Sequence, residues 1–253
     1  MNSNQKGDFK NCYLGLSGLQ IGTPKYLLPE SFQKSSRLTY YASLFNSIEI
    51  NSSFYKIPKA ATVLNWADSV HAHFRFSFKL WKGVTHIKGL NFEPADLALF
   101  FDSINSIQNK QGCILIQFPP GLGIENKHQL DKLLNCIRNL GGAQWRIAVE
   151  FRNKLWYNNY MYDLLKSYNT TLVIHDIPKS ATPMTSRNSD FVYLRFHGPT
   201  GNYRGSYTDD FLREYALYVK EWIAEGKDVY IYFNNTMGDA IANSRTINRF
   251  LNS

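Results

Sequence analysis

The chain has 253 residues, 44% of them hydrophobic and 15% aromatic, with 16 Tyr and 17 Phe. That is enough apolar surface for a full core, yet no stretch approaches the roughly 18 apolar residues of a membrane span. A formal net charge of +8 favours phosphates, nucleic acid or carboxylated ligands, or serves solubility alone. Lys and Arg form no long run, which excludes a basic arm.

Met1 to Lys10 is polar and lacks an apolar stretch, so it reads as a tail (1–10) ahead of a single domain (11–253), not as a signal peptide. A cytoplasmic location is the expectation. Strand one is Cys12 to Ser17, and the helix after it carries Leu38, Tyr41, Ala42 and Phe45 on one face. Strand two ends at Asn51 and a weak helix covers Ala60 to Ala67. Strand three ends near Lys79; its helix opens at Pro94. Strand four ends at Gln117 before Pro119-Pro120, and the next helix stops at Gly141-Gly142. Strand five ends at Arg152, followed by a helix with Met161, Leu164 and Leu165. Strand six, Thr171 to Asp176, is followed by the poorest helix, because Pro178 and Pro183 leave it little room. Strand seven ends at His197 and leads to a helix with Leu212, Ala216, Val219 and Trp222. Strand eight ends at Asn234-Asn235, before a helix bearing Ile247 and Leu251. The i, i+3, i+4 spacing marks core-facing helices.

Side chains alternate faces along a strand. In six of these runs Ile48/Ile50, Phe76/Phe78, Ile114/Ile116, Val149/Phe151, Leu194/Phe196 and Ile231/Phe233 share one face. Glu49/Asn51, Lys79, Gln117, Glu150/Arg152, Arg195/His197 and Asn234 share the other, at the C-terminal ends. Eight alternating units predict an α/β fold, a single (β/α)8 TIM-like barrel irregular around its sixth helix, with its site at that end. The alternative is an open doubly wound sheet, but Gly15, Gly18 and Gly22 do not match G-x-G-x-x-G. Cys12, Cys113 and Cys136 are an odd, widely spaced set, neither a disulfide framework nor a zinc motif.

The motifs at these strand ends resemble the YecE-like family, the domain of unknown function numbered seventy-two. Glu49-Ile50-Asn51-Ser52-Ser53-Phe54-Tyr55-Lys56-Ile57-Pro58 is similar to its E-I-N-x-x-F-Y-x-x-P signature. Lys79 with Thr85-His86, Gln117-Phe118-Pro119-Pro120, Glu150-Phe151-Arg152 with Trp156, Asp176-Ile177-Pro178, Arg195-Phe196-His197-Gly198 and Tyr232-Phe233-Asn234-Asn235 resemble its other blocks in order. The resemblance covers about residues 13 to 251 and implies a βα-barrel, but it hands over no activity. Family members usually carry a Trp-rich stretch after strand one; here Leu19 to Pro29 departs from it.

Glu49 and Glu150 are the acid/base candidates, since an inward carboxylate on an apolar strand is costly unless paired or functional. Paired, Glu150 would meet Lys79 or Arg195, and Glu49 would hold loop amides. Retaining glycosidases on this barrel usually keep carboxylates on strands four and seven, where Gln117 and Arg195 stand here. Lys79 is either a Schiff-base amine or a counter-ion. Glu150, His197 and His175 or Asp176 could gather Mg²⁺, Mn²⁺ or Zn²⁺, a cofactor possible but not favoured; the pleat lets only one of His175 and Asp176 point in. The loops after strands seven and eight, with Arg195, Arg152 and Arg204, suggest a phosphate site. Tyr55, Trp156, Tyr203 and Tyr207 could stack a base or sugar.

Together these predict an enzyme doing acid–base chemistry on a phosphorylated or otherwise anionic substrate, of phosphodiesterase, nuclease or phosphosugar type. Glu49, Glu150 and His197 would move protons with Asp176 orienting. Arg195, Arg152 and Lys79 would hold the anion, with Asn51, Tyr55, His86, Gln117, Trp156, Asn234 and Asn235 on the remaining substrate atoms. The alternative is a non-catalytic nucleic-acid-binding protein.

Overall fold

Residues 11–140, 142–184 and 189–253 are described by the computed structural model. The expected tail, 1–10, and Gly141 of the expected helix stop lie outside them. Among the described residues there are nine strands: β1 Cys12–Leu16, β2 Ser47–Ile50, β3 Arg75–Lys79, β4 Gln111–Gln117, β5 Arg146–Glu150, β6 Thr170–Leu172, β7 Ile174–His175, β8 Phe191–Phe196 and β9 Asp228–Phe233. Every pairing is parallel, in two sheets of order β1-β9-β8-β7 and β2-β3-β4-β5-β6. A parallel bridge between Ser17 and Glu49 joins the end of β1 to β2. This is an α/β fold on parallel sheets.

Seven longer helices alternate with the strands: Arg37–Leu44, Ala60–Asp68, Pro94–Ile104, Lys127–Asn139, Asn159–Ser167, Asp209–Ala224 and Ala240–Leu251. Several begin where a side-chain oxygen satisfies an otherwise orphaned amide. Ser36 accepts from the Thr39 N–H at 3.0 Å, Asn158 from Met161 at 3.1 Å and Thr208 from Phe211 at 3.3 Å. None of the described helices is long and apolar enough to cross a membrane.

The pleat parity divides the interior in two. Ile48, Ile50, Phe76, Phe78, Ile114, Ile116, Val149, Phe151, Leu194, Phe196, Ile231 and Phe233 pack under the helices in one large apolar cluster with Leu38, Leu97, Phe100, Leu133, Leu212 and Ile247. Burying each such side chain contributes about 1.5–3 kcal/mol. The opposite face has its own cluster, drawn from both sheets: Tyr13, Cys113, Leu115, Ala148, Val173, Phe191, Tyr193, Tyr230 and Tyr232. Phenols fill this second layer, and their hydroxyls find partners. Tyr232 hydrogen-bonds Ser47 at 2.5 Å and Ser77 at 2.8 Å, and Ser77 in turn accepts the Cys113 N–H at 3.0 Å. Where β1 approaches β2 only glycine fits, because a Cβ on Gly15 would sit 2.0 Å from the Ser47 carbonyl oxygen. The Tyr41 hydroxyl spans the same seam, accepting from Leu16 N–H and donating to Ser47 O.

The expected sixth strand, Thr171 to Asp176, is found as β6 and β7, parted at Val173. Val173 still donates its N–H to Val149 O at 2.8 Å, but its carbonyl accepts the Thr182 hydroxyl at 2.7 Å, and Thr182 Oγ1 accepts the His175 N–H. A side chain thus takes a ladder position. No helix follows β7 among the described residues before β8, as Pro178 and Pro183 imply. Three short helical turns were not legible beforehand: Glu30–Gln33, Ser52–Tyr55 and Lys82–Thr85.

Candidate active site

The C-terminal ends of the strands meet around one buried guanidinium. Arg195, from β8, is 1% exposed, between Glu49 of β2 and Glu150 of β5, both fully buried. Its Nε and Nη2 fork onto Glu49 at 3.0 and 2.7 Å, and Nη2 also donates to Ser17 Oγ at 3.1 Å. Its Nη1 donates to Glu150 Oε2 at 2.7 Å and to His197 Nε2 at 3.2 Å. Arginine has five N–H donors, and all of them have protein acceptors here. The expected anion-binding role of Arg195 is therefore corrected: it is an internal counter-ion with no donor to spare.

Glu49 also accepts from the Tyr193 hydroxyl at 2.6 Å and from Ser17, so side chains hold it instead of the loop amides expected. Glu150 takes Arg152 Nε on its other oxygen. Burial acts to raise the Glu150 carboxyl pKa, but the guanidinium groups of Arg152 and Arg195 override it and hold it well below the usual range. Glu150 is thus ionised with both oxygens engaged.

His197 Nε2 faces two guanidinium donors, Arg152 at 3.1 Å and Arg195 at 3.2 Å, so it must accept. The proton then sits on Nδ1, which donates to Asp176 Oδ1 at 3.3 Å; the His197 N–H donates to the same oxygen at 2.8 Å. Burial lowers the His197 pKa although the Asp176 hydrogen bond opposes it. Asp176 Oδ2 accepts the Tyr207 hydroxyl, whose oxygen accepts the Gly198 N–H. Asp176 follows the last residue of β7, so the pleat does not govern it, and both His175 and Asp176 lie beside His197. The His175 ring is 5.7 Å from that of His197. Its Nε2–H donates to Phe151 O at 3.0 Å and its Nδ1 accepts the Ile177 N–H, the opposite tautomer. Burial first of all pulls His175 down to about 4.

The candidate metal ligands do not form a ligand set. Asp176 is on the Nδ1 side of His197 and Glu150 is on its Nε2 side, 3.9 Å from Nε2, with two guanidinium groups at that nitrogen. Among the described residues no three His, Cys, Asp or Glu side chains gather as a metal site.

Above this floor is a rim. Lys79 Nζ donates to Gln117 Oε1 at 2.8 Å and lies 4.1 Å from the centre of the Phe54 ring. Burial, then the Arg195 charge, lowers its pKa to about 8. His86, packed edge-on to Phe54, is pulled to about 4 by burial and by the charges of Lys79 and Arg152. Both cations therefore lie within electrostatic reach of the His86 ring. Asn51 donates to Ser17 Oγ at 2.7 Å while its own Oδ1 is buried without a partner. Asn234 is buried at the end of β9. Tyr55 is 68% exposed, with Lys82 over its ring.

Residues 13–253 match the family model described as "Protein of unknown function DUF72". The chain belongs to this family. It is 27% identical to the UPF0759 protein YunF of Bacillus subtilis (strain 168) over 266 residues, 92% of each chain. The crystal structure of the DUF72 family protein EF0366 from Enterococcus faecalis V583 superposes with a TM-score of 0.79 at 25% identity, over 96% of each chain. The E. coli 3-keto-D-glucoside 4-epimerase YcjR shares the fold at a TM-score of 0.51 and 11% identity, over 96% of this chain and 99% of that one.

In this DUF72 chain three expected contributions are corrected besides that of Arg195. Trp156 is fully buried, stacked on Phe151 at 4.7 Å with its indole N–H on Leu122 O, so it lies in the outer apolar layer and away from the mouth. Asn235 donates to Gly205 O and Asn243 Oδ1 and ties loops together. The loops after β8 and β9 spend many of their amides on each other: Gly201 on Gly198, Met237 on Tyr203, Gly238 on Asn235 and Asp239 on Gly205. Those donors are not open to a phosphate. Sequence reasoning did not single out Ser17 and Tyr193 as partners of Glu49.

Proposed function

We propose that this protein is an enzyme performing acid–base chemistry on a phosphorylated or otherwise anionic substrate at the C-terminal ends of its strands. In this reading the two sheets make one eight-stranded barrel. The Ser17–Glu49 bridge is one seam, and β6 with β7 is a single strand interrupted at Val173. The observation that carries the proposal is the charge left at the rim. Arg195 is consumed by Glu49 and Glu150, and Arg152 is shared by Glu150 and His197. Among the described residues the Lys79 amine has only a neutral amide oxygen as its hydrogen-bond partner. An anion between Lys79 and Arg152 would find charge-assisted donors in a half-buried place, where they act more strongly than in water.

The deep carboxylates hold this charge in position, and proton movement falls to Lys79, whose pKa burial lowers to about 8, and to the His197 ring hydrogen-bonded to Asp176. Gln117, Asn51 and Asn234 flank the substrate atoms. The test is turnover of a panel of phosphate monoesters, diesters and sugar phosphates, followed by phosphorus NMR. Wild-type turnover should fall at least about 100-fold in Lys79→Met and His197→Gln, in line with losing a positioned acid–base group, while circular dichroism stays unchanged. The opposing outcome is no turnover, together with oligonucleotide binding that weakens steeply with salt and survives Lys79→Met. It would favour a nucleic-acid-binding protein drawing on the net charge of +8.

A further inference from the structure

Lys79 differs from the other cations of this site. Both arginines bind carboxylate. Lys79 Nζ has Gln117 Oε1 at 2.8 Å on one side and the Phe54 ring at 4.1 Å on another. Among the described residues it makes no ion pair with a carboxylate. The aromatic neighbour is fixed there: the Ser53 hydroxyl hydrogen-bonds the carbonyl of Lys79 itself at 2.7 Å and that of Ile50, pinning the turn Ser52–Tyr55 that carries Phe54. Lys79 is also the last residue of β3, on the same parity as the inward Ser77, so the strand aims its amine at the mouth. A primary amine held in place, desolvated and without a counter-carboxylate is the arrangement that favours a lysine nucleophile.

We infer that Lys79 forms an imine with a substrate that carries an aldehyde or ketone as well as a phosphate or carboxylate, the anionic group being held by Arg152. This rests on the anionic-substrate reading above and narrows its substrate class to carbonyl compounds. The unprotonated Nζ attacks the carbonyl carbon; the carbonyl oxygen takes a proton from water and the nitrogen gives one to water, leaving a neutral carbinolamine. The hydroxyl takes a second proton from water and leaves as water while the nitrogen lone pair forms the C=N bond of a protonated imine, so no oxidant or reductant is needed. Gln117 Oε1 accepts one N–H in either state of the amine, which leaves the nitrogen lone pair free to face the mouth.

The groups acting on Lys79 agree with this role. Burial, Arg195 and Arg152 disfavour its protonation and outweigh Glu150 and Glu49, giving a pKa of about 8. At pH 7.5 about a quarter of the amine is then unprotonated, against roughly 0.1% for an ordinary lysine.

The experiment is reductive trapping on the intact wild-type protein, with borohydride and two probes, dihydroxyacetone phosphate and the uncharged propionaldehyde, located by peptide mass spectrometry. The expected result is saturable, near-stoichiometric labelling of Lys79 by dihydroxyacetone phosphate at concentrations that leave surface lysines unmodified. Lys79→Arg should abolish it, and Arg152→Met should raise the concentration needed for dihydroxyacetone phosphate but not for propionaldehyde. Labelling of Lys79 by propionaldehyde alone would uphold the amine's role and overturn the anionic-substrate reading. Protection of Lys79 by dihydroxyacetone phosphate without trapping would uphold anion binding and overturn the imine. Labelling scattered over surface lysines, with Lys79 not enriched, would overturn the imine outright.

Discussion

Replacing Arg195 by Met should expose how the site is tied to the fold. The substitution removes the guanidinium that forks onto Glu49 and also reaches Glu150. Glu150 keeps Arg152, whereas Glu49 is left fully buried with only the hydroxyls of Ser17 and Tyr193. Stranding one buried charge in this way costs about 3–5 kcal/mol, which for a chain of this size lowers the melting temperature by roughly 6–20 °C. Wild-type stability has a pH dependence of definite sign from Glu150, whose pKa lies below the unfolded value of 4.5: the stabilisation is fully present above about pH 4.5 and lost as pH falls through the lower folded pKa. Urea unfolding of both proteins at pH 7 measures the cost of the substitution. A variant as stable as wild type would refute this account of the floor.

Lys79→Met should be at least as stable as wild type at pH 7 and lose that advantage between about pH 8 and 10.5. The native amine, with its pKa lowered to about 8, costs folding free energy when it must be charged; thermal melts across that range check it. The His175 ring, at about 4, should stay neutral down to pH 5 in NMR titration. The stability it contributes is present above about pH 6.5 and lost towards pH 4. Tyr232→Phe removes the hydroxyl bonded to Ser47 and Ser77 and should cost about 1–3 kcal/mol in urea unfolding, while the borohydride trapping at Lys79 stays unchanged.

The alternation in six strands was legible because desolvating a charge is expensive. Glu49, Glu150 and Arg195 on otherwise apolar strands could only point to a polar assembly, and the parity told which face held it. What those charges would do to one another was not legible. Glu49 and Arg195 are far apart in the chain and meet only when β2 and β8 come to the same end of the sheets. Trp156 was misplaced because an indole can stack on ligand or on Phe151, and the packing of Phe118, Phe151 and Trp156 is tertiary. In the sequence Ser17 is only the last residue of strand one, with no partner assigned to its hydroxyl. Asp176 escaped the pleat because β7 ends at His175, after a strand interrupted at Val173 where Thr182, beyond it in the chain, takes a ladder position.

The fully buried Glu49, Tyr193 and Arg195 belong at once to the floor of the mouth and to the packed centre of the molecule. A change at any of them is paid in stability before it can alter what the protein binds. Tyr55, Lys82 and Arg204 are exposed at the periphery, where substitution leaves the interior intact. Divergence of ligand preference among relatives should therefore be written in the loops, over a centre that selection for folding alone holds constant.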